Sequence, residues 1–239
     1  MGPMSTSWTT VFEPVDASST YEETVTRLGT AIRIGVLPAG SRLPPERELA
    51  EQLGISRSTL RQALATLTAT GHLKAVRGRA GGTFVAATPP VASGEPFPRE
   101  ALRPLLDRRL ALELGIAQLA AERARDTDRG RLEEAVVTVE EAVDADFAAY
   151  RRADANFHLA VAATAQSPRL VAELARVQGC LSDLLSETGV PADAREEDVE
   201  HHRRLLGAIG QGDAAEAVAA MREHLEATEQ MITGALRRR

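Results

Sequence analysis

The sequence predicts a mostly α-helical protein, with an N-terminal winged helix-turn-helix followed by a C-terminal all-α antiparallel helical bundle. Three observations carry this expectation. Residues 41–85 run as a helix, a tight turn, a second helix and a glycine-rich basic hairpin. From residue 99 onward apolar residues recur at helical spacing with short breaks, and neither a strand signal nor a glycine-rich phosphate loop interrupts them. Hydrophobic residues make up 44% of the 239 and aromatics only 3%, so the core is built of Leu, Ala and Val, which suits close-packed helices.

Taken in order, residues 1–18 are rich in Ser, Thr and Pro without periodicity and read as a flexible tail. The winged unit is assigned to residues 19–87. Its first helix-turn-helix segment, 45–53, opens after Pro44 and stops at Gly54. Leu49 and Leu53, with Ile55 in the turn, form a small core, and Arg47 stands on the outer face. The second helix starts at Arg57, with the Ser56 hydroxyl positioned to cap it. Leu60, Leu64 and Leu67 recur at helical spacing and leave Arg57, Ser58 and Arg61 on the opposite face. Two forked guanidiniums one turn apart at a helix N-terminus suit the major groove, where Arg reads guanine O6 and N7 and backbone amides meet phosphate. After Gly71, HLKAV and TFVAA read as strands around a tip in which Gly78, Gly81 and Gly82 allow positive φ and Arg77 and Arg79 supply charge. A lone surface arginine is usually a solvated charge. Several together on a helix-turn-helix and its hairpin imply DNA contact.

The net charge of −6 opposes DNA binding until it is divided. Residues 20–86 carry +4, residues 87–239 carry −8 and residues 1–19 carry −2, so the positive share coincides with the helix-turn-helix. Residues 88–98, within ATPPVASGEPFP, are rich in Pro, Gly and Ala and read as a linker. Residues 99–239 form the second domain. No run of 18 apolar residues and no N-terminal signal pattern occurs, which implies a soluble cytoplasmic protein with no membrane partner. The single cysteine, Cys180, lies in a largely apolar helical stretch and reads as inert packing.

Helices are expected near 99–124, 127–144, 145–165, 168–187, 195–210 and 213–236. Asp154 and His158 are four apart and share one helix face. His202 leads an apolar stripe of Leu205, Leu206 and Ile209, and His224 lies beside Val218, Met221 and Leu225. Histidines on the inward faces of three helices can converge in a bundle core. One Asp oxygen and three imidazoles would suit Zn, Ni, Co, Mn or Fe(II), with positions left for water or a ligand. A single histidine on an apolar face is more often a hydrogen-bonded core residue than a ligand, and by pattern alone the four-residue site stands evenly against that reading.

The stretch LPPERELAEQLGISRSTLRQAL resembles the DNA-binding domain of the GntR superfamily of bacterial transcription regulators. By that resemblance Arg47, Arg57, Ser58, Thr59, Arg61, Arg77 and Gly78 match operator-contacting positions, Arg57 and Arg61 being base-reading. RLALE (109–113), DANFH (154–158), HHRRLLGAI (201–209) and GDAAEAVAAMREHL (212–225) resemble the FCD domain, the ligand-binding half of the FadR branch. The resemblance implies a divalent metal, zinc foremost, on Asp154, His158, His202 and His224. His201, where the family usually has Glu, is left as an outsider. Arg109 matches the family's anion-pairing arginine, a small organic acid is the implied effector, and an i,i+4 salt bridge to Glu113 is the competing reading of Arg109. A homodimer on double-stranded operator DNA is implied, located in the cytoplasm and on the nucleoid when bound.

Three function classes follow. A repressor released by an organic acid uses both halves of the chain. A regulator in which the metal ion is itself the effector uses the same ligands without the acid. A metallo-hydrolase needs a spare general base, and only His201 stands near that role, so an enzyme is not expected.

Overall fold

The computed structural model describes residues 20–78, 81–90 and 96–238. The expected tail, Arg79 and residues 91–95 of the expected linker lie outside the described residues. The first element is a helix the sequence reading did not anticipate, α1 (Thr20–Arg33). Its buried side includes Thr24, Leu28, Gly29, Thr30 and Ile32, a face half composed of residues that do not register as apolar. α2 (Glu46–Leu53) ends at Gly54 in the left-handed region, and α3 (Arg57–Ala69) begins one tight turn later. β1 (Leu73–Val76) and β2 (Gly82–Val85) pair antiparallel, Leu73 opposite Val85 and Val76 opposite Gly82. Residues 41–43 add a further rung, with the Leu43 and Val85 amides donating to the Thr83 and Ser41 carbonyls at 2.9 Å. Leu28, Ile32, Leu43, Leu49, Leu60, Leu64, Leu67, Leu73 and Val85 form the core of this head.

A single 3₁₀ turn, Arg99–Ala101, leads into six helices: α4 (Leu102–Arg123), α5 (Asp126–Ala142), α6 (Phe147–Thr164), α7 (Pro168–Thr188), α8 (Ala192–Gln211) and α9 (Ala214–Arg237). The connections are two to four residues, which forces each helix back along its predecessor. α4 is the hub, packed against α6, α7, α8 and α9. The core holds Ile116, Leu132, Val136, Phe157, Leu174, Leu181, Leu205, Ile209 and Ile232. Cys180 corrects its expected role: it is exposed on α7 rather than packed, because α7 buries Val177, Gln178, Gly179 and Leu181 and leaves position 180 on its outer side.

Head and body touch through α1 and α7. Arg176 pairs with Glu23 at 2.7 Å, Arg33 lies 3.7 Å from Asp183, and Ile34, just past α1, is buried in the body's own core.

Candidate metal centre and nucleic-acid interface

α3 opens where Ser56 accepts the Thr59 amide at 3.1 Å, satisfying one of the free donors of the first turn. Leu60, Ala63, Leu64 and Leu67 are buried, so Arg57, Ser58 and Arg61 stand together on the exposed side. Thr59 is half-buried and its hydroxyl is 2.8 Å from that of Ser56. Arg61 Nε donates to Glu46 at 2.6 Å and Arg47 pairs with Glu51 at 3.2 Å. Exposed pairs of this kind contribute about 1 kcal/mol or less, so either guanidinium is easily surrendered to DNA. At the wing, Gly78 has φ +111°, and a Cβ on Gly81 would stand 2.4 Å from the Val76 carbonyl oxygen. The tip therefore demands glycine at Gly81 for close approach and not for positive φ. Arg77 is exposed beside it. Arg42, which the sequence did not single out, donates to the Gly81 carbonyl at 2.6 Å and lies 5.9 Å above the Phe84 ring, bracing the hairpin.

The second cluster is interior. Asp146 caps α6 by accepting the Ala149 amide at 2.8 Å, and two turns on the helix turns Asp154 and His158 toward the bundle axis. α8 brings His202 and α9 brings His224. One donor atom from each of these four residues lies within 4.8 Å of the others, and all four residues are buried. Asp154 Oδ1 is 3.6 Å from His158 Nε2 and 3.5 Å from His202 Nε2. The ring centroids of His158, His202 and His224 are 4.8 to 5.3 Å apart.

Asp154 Oδ1, His158 Nε2 and His202 Nε2 have no hydrogen-bond partner. Leaving a buried polar atom unpaired costs about 1–3 kcal/mol, so three facing one another mark a place built for something else to hold. A divalent cation could be held by all three, and the N₃O donor set is of the kind that suits a borderline transition metal.

Around the four runs a ring of polar residues that spacing alone did not expose. Arg151, one turn before Asp154, donates to Asp154 Oδ2 at 2.5 Å and to the Gln178 carbonyl at 3.1 Å, with a further bond to the Gln178 side chain. Glu113 contacts His158 Nδ1, and Asp198 lies 3.3 Å from His224 Nδ1 while accepting the Tyr150 hydroxyl at 2.5 Å. Two of the three histidines thus direct one nitrogen to a carboxylate and the other inward, the arrangement that fixes the tautomer and ring angle of a metal-ligating histidine. Glu113 sits one turn after Arg109 and Asp198 one turn before His202, so helical spacing from residues already chosen was the available signal.

Burial opposes charge on Glu113, but His158 and Arg109 beside it outweigh that and bring its pKa to about 2. Burial likewise disfavours a charged His158, yet Glu113 and Asp154 lift it to about 9, so an ion bound at this site would have to displace a proton from it. Burial holds His202 and His224 below the usual imidazole value despite the opposing pull of Asp154 on the first and Asp198 on the second, so both are neutral and able to coordinate. Arg109 is buried. Its Nε donates to Glu113 at 2.9 Å and Nη2 to His224 Nε2 at 3.3 Å, while Nη1 has no partner. Both readings of this residue therefore meet in one side chain, although the forked Nε/Nη2 edge is already engaged. His201 is half-buried, 6.0 Å from the His224 ring and beside Asp198, outside the four-residue cluster.

Residues 105–227 match the FCD domain family, and residues 20–85 match bacterial regulatory proteins of the gntR family. The chain is 31% identical over 214 residues to the transcriptional regulator LutR of Bacillus subtilis, covering 85% of this chain and 96% of that one. It is 32% identical over 218 residues to the "Putative L-lactate dehydrogenase operon regulatory protein" of Escherichia coli, covering 85% and 83%. Among solved structures, Escherichia coli McbR/YncC superposes with a TM-score of 0.56 at 24% identity, covering 91% of this chain and 98% of that one, which speaks to the fold. Among the described residues no helix is long and apolar enough to cross a membrane. The helix-turn-helix with its exposed arginines, the helical body and these matches agree: the chain belongs to the gntR family of bacterial regulatory proteins with an FCD domain, and is a DNA-binding transcription regulator and not an enzyme.

Proposed function

We propose that this regulator is a repressor, released from its operator when a small organic acid binds a metal site in the helical body. The observation that carries the reading is the convergence of Asp154, His158, His202 and His224, buried, from three helices, with unpaired donor atoms facing one another. These four residues hold a divalent transition metal, zinc by preference and Ni, Mn, Co or Fe(II) by the same donor set. Bound there, the metal supplies Lewis-acid coordination for a carboxylate. Arg109 Nη1, buried and unpaired, offers a charge-assisted bond to the same anion. The Escherichia coli relative named for an L-lactate dehydrogenase operon supports the chemical class, since lactate is a small hydroxy acid.

In this reading residues 19–87 are the DNA-binding head, 88–98 the linker and 99–239 the effector-binding and dimerising body of a cytoplasmic homodimer. Arg57 and Arg61 read base edges, while Arg47, Ser58, Thr59, Arg77 and Gly78 contact the backbone of the duplex. Two heads are needed because one winged unit makes too few contacts for operator-level affinity.

Native mass spectrometry with elemental analysis of the purified protein tests the reading. Two chains, one transition metal per chain and a carried-over acid are expected. A metal-free protein that takes up no zinc would overturn it. Mobility shift with metal alone against metal plus a panel of carboxylates distinguishes the acid-released repressor from a regulator that answers to the ion itself.

A further inference from the structure

The head rests on the outer faces of the two helices whose inner faces help build the metal centre. On α7, Gln178 faces inward, its side chain bonded to Arg151 and donating from Nε2 to Glu113 Oε1 at 3.3 Å. The next residue, Gly179, faces α1. A Cβ built on Gly179 would stand 2.6 Å from Thr30 Cγ2 and 3.2 Å from Thr30 Oγ1, so α1 and α7 meet there at a separation only glycine permits. The peptide unit joining these two residues is itself part of the network, because the Gln178 carbonyl accepts from Arg151 Nη2 at 3.1 Å and from the Ser182 hydroxyl at 2.9 Å. Arg151 in turn holds the carboxylate of Asp154.

On α6 the same division recurs. Asp154 and His158 face inward, while Asn156 between them is exposed and faces the residues after α1. A Cβ built on Gly35 would lie 3.0 Å from Asn156 Nδ2.

We infer that the occupancy of the Asp154 site is transmitted to the DNA-binding head through Arg151, the Gln178–Gly179 peptide and the Thr30 contact on α1. The inference rests on the cluster being a ligand site, as proposed above. An ion drawn to Asp154 Oδ1 withdraws charge from the carboxylate whose other oxygen, Oδ2, Arg151 holds, and so weakens that bond. Arg151 is fully buried with few alternative partners, so a change in its pairing is passed to the carbonyl it holds. The Gly179–Thr30 contact has no slack to absorb a shift of that peptide, and α1 is packed on the reading helix α3, with the Tyr21 hydroxyl 2.7 Å from Thr66 Oγ1. A contiguous packed route with tight contacts at each step is the physical requirement for coupling between two sites.

The test uses the full chain stripped of metal and then titrated with zinc alone. Bound zinc is counted by native mass spectrometry, amide exchange is followed in residues 20–35, and affinity is measured for a duplex that the wild-type protein selects from a random pool. Zinc is expected to change exchange in residues 20–35 about 5-fold or more, a typical size for coupling between sites. Gly179→Ala is expected to blunt that response and to shift duplex affinity about 5-fold, and Thr30→Ser, which removes only the clashing methyl, is expected to restore both in the Gly179→Ala background. Absence of bound zinc overturns the ligand site and the coupling with it. Zinc bound at one per chain with unaltered exchange in residues 20–35 overturns the coupling alone. Failure of Thr30→Ser to rescue a folded Gly179→Ala protein overturns the Gly179–Thr30 contact as its route.

Discussion

The head and the body use arginine in opposite ways. Arg57, Arg61 and Arg77 lie exposed in the head, tied to nothing stronger than a surface carboxylate. Arg109 and Arg151 in the body are each 2% exposed and bound to carboxylates inside a helical core. Desolvating a guanidinium is expensive, so the buried pair persists only where its partners are fixed by surrounding packing. Exposed guanidiniums pay no such penalty and remain free to exchange water for phosphate or a base edge. The same residue type is thus a structural brace in one half and a solvent-facing charge free to change partners in the other, and burial alone decides which.

The sharpest way to break this contrast is Arg151→Met. It leaves Asp154 buried beside an uncharged side chain and is expected to destabilise the body by about 3–5 kcal/mol in urea unfolding. A loss below about 1 kcal/mol would mean that Arg151 braces nothing. Next in size, zinc at about 100 times its Kd is expected to stabilise the wild-type fold by about 2.7 kcal/mol, an increment that chelation removes and that His202→Ala abolishes. Arg57→Ala should leave unfolding unchanged and cost about 1–3 kcal/mol in binding the selected duplex, with relaxed base preference. The same ratio of affinities for selected and scrambled duplexes in the variant as in the wild-type protein would remove Arg57 from base reading. Smallest is Arg77→Ala, expected to weaken all duplexes alike and to lower the slope of log affinity against log salt by about 0.9, the share of one phosphate contact.

Much of the head was legible because its signals are local. Gly54, Ser56 and the Leu60, Leu64, Leu67 stripe act within a few residues of one another, and the structure has the αL stop, the cap and the buried face at those positions. α1 escaped because its inner face relies on Thr24, Gly29 and Thr30, whose burial depends on what packs against them. In the body, helix boundaries followed from breaks such as Ser167–Pro168, while α8 begins at Ala192, earlier than residue 195, because Pro191 is well placed before a helix start.

That Asp154, His158, His202 and His224 face inward and gather was legible from helical spacing and family likeness. Glu113, Arg151, Gln178 and Asp198 were not, since charged and amide residues in RRLALELG, YRRADAN or EEDVEHH read as solvated faces when each helix is taken alone. Their burial is a property of the assembled bundle, in which α4 runs through the middle and leaves its polar side no water to face.

The exposed thiol of Cys180 follows Gly179 directly on α7 and is the chain's one cysteine. It therefore offers a single natural attachment point for a fluorophore or spin label at the seam between the two halves, without any engineered residue. Although the residue is exposed, partial burial of its sulfur, with the nearby Asp183, pushes its pKa up, so conjugation proceeds best in mildly alkaline buffer. A dye placed there reads the spacing of the seam in real time, in molecules that are otherwise unaltered in sequence.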